Sequence, residues 1–112
     1  MKINKIHHVA IICSNYNISK RFYTEILGLN VIREVYRKER ESYKLDLELG
    51  DSQIELFSFK NSPERVSYPE ARGLRHLAFE VDDIEEAVSY LEKNGVKCEP
   101  IRIDEFTLRK FT

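Results

Sequence analysis

The sequence predicts an α+β domain assembled from two copies of one unit, each a strand and a helix followed by further strands. Residues 74–95 (LRHLAFEVDDIEEAVSYLEKNG) repeat the plan of residues 6–28 (IHHVAIICSNYNISKRFYTEILG): a histidine heading an apolar strand, a polar turn, an amphipathic helix and a glycine. The offsets agree, because Phe22 stands fourteen residues after His8 and Tyr90 fourteen after His76. Residues 43–49 (YKLDLEL) alternate strictly between apolar and polar, the signature of a half-buried strand.

Of the 112 residues 42% are hydrophobic, enough apolar material for one globular domain with its own core. A formal net charge of −1 creates no field that would draw in nucleic acid or an anionic membrane. No apolar run approaches the roughly 20 residues that span a bilayer, and the N-terminus MKINKIHHVAII lacks a small-residue cleavage site. A cytoplasmic protein is the expectation. Cys13 and Cys98 have no CxxC spacing and sit among apolar neighbours, which predicts reduced, buried thiols.

Taken in order, residues 6–13 form a β-branched strand on which His8, Ala10 and Ile12 share one face and His7, Val9 and Ile11 the other, so that the two histidines point opposite ways. Asn15 and Asn17 are candidate caps for a helix with Ile18, Phe22 and Ile26 on one stripe, and Gly28 fits the position just past its end. Residues 29–37 alternate loosely and predict a strand, and the mixed charges of residues 37–41 (RKERE) a solvated turn. After the strand at 43–49, a loop at Gly50, Asp51 and Ser52 leads to a strand at 53–59, where Gln53, Glu55, Phe57 and Phe59 share a face. Residues 61–72 hold two prolines and read as a linker, giving a module at about 1–60 and a second at about 73–112. In the second, Asp83 and Glu86 have the form of a capping box, Ile84, Val88 and Leu91 repeat the stripe, and residues 96–104 and 106–112 are two further strands. The second copy is therefore one strand short of the first.

Taken singly, His8 and His76 read as satisfied core histidines. Glu55, between Ile54 and Leu56, is costly to bury unless it is paired or bound to a cation, and on a one-sided sheet it faces solvent instead. The duplication changes the weighing, because related strands meeting near a pseudo-twofold axis bring both histidines to one place. Two imidazoles and a carboxylate suit a divalent ion such as Zn²⁺, Ni²⁺, Fe²⁺, Mn²⁺ or Co²⁺.

With HHVAII, FYTEILGL, IELF, GLRHLAFEVDDI and CEPIRIDEFT in place, the whole chain resembles the vicinal oxygen chelate superfamily, also called the glyoxalase/bleomycin-resistance/dioxygenase group, and within it the small glyoxalase I-like (lactoylglutathione lyase-like) bacterial proteins. The resemblance implies tandem βαβββ modules forming a curved mixed sheet around a metal site, with His8, Glu55 and His76 as ligands. It implies a fourth ligand, a terminal glutamate also implicated in proton transfer, which has no counterpart up to Thr112, so the catalytic base is unassigned. The second module lacks its last strand, and an incomplete form of the enzyme is the expectation, since a sheet halted mid-module leaves an open edge.

The implied activity is that of a metal-dependent lyase or isomerase. It would act on a small α-oxo or α-hydroxy carbonyl compound, such as the hemithioacetal of methylglyoxal and glutathione, through an enediolate. A glutamate at position 55 favours this over an extradiol dioxygenase; a non-catalytic drug-binding relative is the other alternative. A small-molecule substrate and a homodimer are the implied partners. Arg37, Lys44 and Arg75 are considered as anion contacts and read as surface charges, leaving the substrate-binding residues unassigned.

Overall fold

The computed structural model describes residues 1–112. It divides into two compact units, Met1–Val66 and Ser67–Thr112.

The first unit is a four-stranded mixed sheet with one helix. Strand β1 is His8–Cys13, helix α1 Tyr16–Arg21, β2 Val31–Arg37, β3 Ser42–Leu49 and β4 Ser52–Ser58, in the sheet order β1-β4-β3-β2. β1 runs parallel to β4, whereas β2, β3 and β4 form an antiparallel meander. The parallel pair requires a long crossover, which the helix and two strands between β1 and β4 supply.

Asn15 caps α1, its side-chain oxygen accepting from Ile18 N at 3.1 Å. The helix continues through a π-helical turn, Phe22–Ile26, and ends at Gly28, whose φ of +72° is reached without the Cβ penalty any other residue carries.

Alternation sorts the sheet into two faces. Leu45, Leu47, Ile54 and Leu56, each 0% exposed, form the core together with Ile11, Cys13, Leu29 and Leu49, and Tyr16 and Tyr23 cover it. Tyr16 stacks on Tyr43 at 4.2 Å and donates to Glu34, which also meets Lys20 Nζ at 2.7 Å. The Tyr16 hydroxyl is thereby pushed up, by burial first and then by the hydrogen bond to Glu34.

The opposite face is polar. It carries His8 and Ala10 from β1, Gln53, Glu55 and Phe57 from β4, and Lys44 and Asp46 from β3. β2 joins that face through a bulge between Val31 and Arg33: Val31 pairs with Leu47 on the core side, yet Arg33 pairs with Asp46 on the polar side. The bulge accounts for the loose alternation of this segment.

In the second unit, α2 is Ile84–Lys93, capped by Asp83, whose carboxylate accepts from Glu86 N at 2.9 Å, and followed by Gly95 at φ +80°. The expected strands at 96–104 and 106–112 contract to a short antiparallel hairpin, β5 (Arg102–Ile103) with β6 (Lys110–Phe111). Its turn is tied by Asp104, which accepts from Phe106 N, Thr107 N and the Thr107 hydroxyl. The strand expected around His76 carries no ladder in this structure. Its apolar alternation is present in Leu77, Phe79 and Val81, but a strand is defined by a hydrogen-bonded neighbour, and its own unit offers only the hairpin. No helix is long and apolar enough to cross a membrane. Cys13 and Cys98 are both free and half-buried.

Candidate functional site

The parallel register of β1 and β4 places His8 beside Gln53 and Ala10 beside Glu55, so the imidazole at the head of β1 reaches across the polar face toward the carboxylate. His8 Nε2 lies 3.7 Å from Glu55 Oε2, with the side chains 44% and 18% exposed. The backbone secures this corner, since Gln53 N donates to His7 O at 3.0 Å and Ser52 Oγ to Ile6 O at 2.7 Å.

The rear of the imidazole is held as well. His7 Nδ1 and His8 Nδ1 are 2.9 Å apart with the rings edge to face, so one of the two nitrogens carries the shared proton and His8 Nε2 is turned toward Glu55. Here the structure corrects the expectation that the histidines point opposite ways: β1 begins at His8, and His7, outside the strand, is not bound by its alternation.

Glu55 is anchored from its other side. Lys44 Nζ donates to Glu55 Oε1 at 3.1 Å and lies 3.0 Å from Asp46 Oδ1. Asp46, 6% exposed at its side chain, accepts from Arg33 Nη2 at 2.9 Å and Nε at 3.2 Å. A continuous row of polar contacts therefore runs across all four strands, from His8 through Glu55, Lys44 and Asp46 to Arg33. The Lys44 contact to Asp46 Oδ1 is an ion pair without hydrogen-bond alignment, which leaves that oxygen short of a directed donor.

These contacts set the charges. The Asp46 carboxylate beside it is the largest influence on the Lys44 ammonium and, with Glu55, holds it above its ordinary value, against burial. Burial alone would push the Asp46 carboxyl up, but the Lys44 ammonium beside it and the hydrogen bonds from Arg33 outweigh it and hold the group below its ordinary 3.8. Glu34 lies below 4.5 chiefly through the hydrogen bond from Lys20 and then that from Tyr16. Both carboxyls are lowered on folding, so their contribution to stability is present above those ordinary values and lost as pH falls through the folded ones. The urea midpoint of the parent is therefore expected to fall on acidification below about pH 4, and Asp46→Asn to cost about 2 kcal/mol at neutral pH and to respond less to acid. A parent midpoint that rises between about pH 5 and 3 would contradict this.

Of the three predicted donors the structure joins His8 and Glu55, and no third His, Cys, Asp or Glu of the first unit stands with them in a position to share a metal ion, His7 facing the far side of the His8 ring. His76 lies exposed in the second unit. The pair suits a borderline divalent ion: Lys44 takes one carboxylate oxygen and leaves the other turned toward an imidazole nitrogen, one oxygen and one nitrogen donor. His7 and Lys44 are then the partners that hold ring and carboxylate in place.

Lys44 and Arg37 are not the surface charges the sequence suggested. Lys44 is built into the row, and Arg37 closes β2 half-buried over aromatic rings, so only residues 38–41 form the exposed turn. The signal was the hairpin register: with a two-residue loop Leu49 pairs with Ser52, which puts Asp46 opposite Glu55 and Lys44 opposite Phe57. Arg75 is exposed and pairs with Glu70 at 3.7 Å.

Comparison with known proteins supplies a family. Residues 5–112 match the family model of the Glyoxalase/Bleomycin resistance protein/Dioxygenase superfamily. The uncharacterized protein YaeR of Escherichia coli is 56% identical over 111 residues, covering 98% of this chain and 86% of the relative. The crystal structure of a glyoxalase family protein from Enterococcus faecalis superposes with a TM-score of 0.91 at 51% identity, covering 98% of this chain and 87% of that one. More distant are the methylmalonyl-CoA epimerase of Dictyostelium discoideum, 31% identical over 85% of this chain and 60% of the relative, and the lactoylglutathione lyase of Schizosaccharomyces pombe, 27% identical over 86% and 39%.

Proposed function

Because this chain belongs to the Glyoxalase/Bleomycin resistance protein/Dioxygenase superfamily, we propose that it is a metal-dependent lyase or isomerase of lactoylglutathione lyase type. Its substrate is a small α-oxo or α-hydroxy carbonyl compound, converted through an enediolate. The observation that carries this is the facing pair of His8 Nε2 and Glu55 Oε2 on a polar sheet face. His8, Glu55 and His76 are the residues assigned to hold one divalent ion, and the working form is a homodimer.

When bound, such an ion acts as a Lewis acid that polarises neighbouring substrate oxygens. The chain's own residues prepare the place. The His7 contact keeps the His8 ring from turning, and Lys44 keeps the Glu55 carboxylate from swinging to solvent. Neither support needs to move when a ligand arrives, so little reorganisation is required.

The test is metal content per chain by plasma mass spectrometry, on protein purified without added metal. About one divalent ion per chain is expected in the parent and a clear loss in each of His8→Ala, Glu55→Ala and His76→Ala. Unchanged content in all three variants would sink the assignment. Turnover assays on methylglyoxal with glutathione and on methylmalonyl-CoA then separate the two activities named among the relatives.

A further inference from the structure

Three cations line the polar face, and only two are answered by carboxylates: Arg33 meets Asp46, and Lys44 meets Asp46 and Glu55. Arg37, at the end of β2, meets none. Its guanidinium carbon sits 5.2 Å above the Phe57 ring and 5.7 Å from Phe59, and these two rings stack on each other at 5.8 Å, nearly parallel. One nitrogen, Nη2, donates to Ser42 Oγ at 3.0 Å, whereas Nε is buried without any hydrogen-bond partner. A half-buried guanidinium that no carboxylate neutralises is costly unless an anion reaches the outer nitrogens of its fork. An open depression beside it is lined by Arg37, Lys38, Glu39 and Arg40, three cations to one anion. Phe57 is two residues along β4 from Glu55, about 7 Å, so the guanidinium and the His8–Glu55 pair lie within the span of one small molecule.

We infer that the substrate is an anion and that Arg37, held flat on Phe57 and Phe59, receives its carboxylate or phosphate end while the other end lies toward Glu55. A guanidinium fork matches a planar carboxylate or a phosphate edge, and the aromatic platform fixes the plane of that fork without neutralising it. Lys44 Nζ, paired with Glu55, lies 5.8 Å from the centroid of the same Phe57 ring, so Phe57 links the Arg37 guanidinium to the Glu55 end of the face. This inference rests on the proposed function only in placing the reacting end at Glu55.

The experiment is calorimetric titration of inorganic phosphate and, separately, acetate into the protein as purified and after EDTA treatment. It is repeated on Arg37→Met, Arg37→Lys and Arg33→Met. Saturable binding is expected in the parent with and without EDTA, weakened about tenfold or more in Arg37→Met and unchanged within about twofold in Arg33→Met, whose charge is committed to Asp46. Tighter saturation by phosphate assigns a phosphoryl end, and tighter saturation by acetate a carboxylate end. No saturation by either anion, or equal weakening in Arg33→Met and Arg37→Met, overturns the proposal. Should Arg37→Met fail to fold, Arg37→Lys keeps the charge and loses the fork; binding at least threefold weaker supports the assignment, and unchanged binding overturns it. The titration uses neither turnover nor metal, so its failure is separate from a failure of the metal assignment.

Discussion

Replacing Leu56 by alanine is expected to lower the unfolding free energy by about 3 kcal/mol. Leu56 is 0% exposed and stands at the centre of the sheet, paired with Ile11 of β1 on one side and Leu45 of β3 on the other. Both neighbouring strands are fixed by ladder hydrogen bonds, so the backbone cannot close over the lost methyl groups and the cavity persists. Against a total stability of at most about 10 kcal/mol for a unit of this size, that is a large fraction. Ile12 provides the contrast: it lies on the opposite face, is 59% exposed, and its replacement by alanine should cost under about 1 kcal/mol. Urea unfolding of the two variants side by side is the measurement. Equal costs would mean that the polar face contributes as much packing as the core face, and that the division of labour between the faces is wrong.

That division was partly legible in the sequence. The strands at 43–49 and 53–59 announced their periods, and Asn15, Gly28, Asp83 and Gly95 marked helix ends by chemistry that acts within four residues. Local signals of this kind survive in a single sequence because the interaction they report is itself local. In the first unit, what failed depended on one-residue shifts. Reading three loop residues after Leu49 instead of two changes the partner of every residue on β4, and a sheet register displaced by one residue exchanges its faces. The bulge after Val31 is the same effect in reverse, an extra residue that turns Arg33 to the polar side with no mark in its composition. Glu55 was singled out because a carboxylate between Ile54 and Leu56 violates the local pattern, whereas Arg37 passed as one more charge in RKERE. What distinguishes Arg37 is its neighbours Phe57 and Phe59, two strands away and twenty residues later.

Glu55→Gln should separate function from stability more sharply than any other substitution on the polar face. The amide keeps the size of the side chain and can still accept from Lys44, and Lys44 retains its ion pair to Asp46, so no buried cation is abandoned. The unfolding free energy should therefore change by less than about 1 kcal/mol. The anionic oxygen facing His8 Nε2 is lost outright, and with it the negative charge that a divalent ion would neutralise. Bound metal should drop well below that of the parent, and turnover of any substrate found for the parent should fall roughly a thousandfold, as for removal of one preorganised charged group from an active site. Asp46→Asn gives the reverse pattern, a stability loss with His8 and Glu55 both still in place. If Glu55→Gln instead lost stability in proportion to activity, Glu55 would be a structural partner of Lys44. A variant with full metal content and full turnover would remove Glu55 from the site altogether, leaving His8 without the acidic neighbour on which the assignment depends.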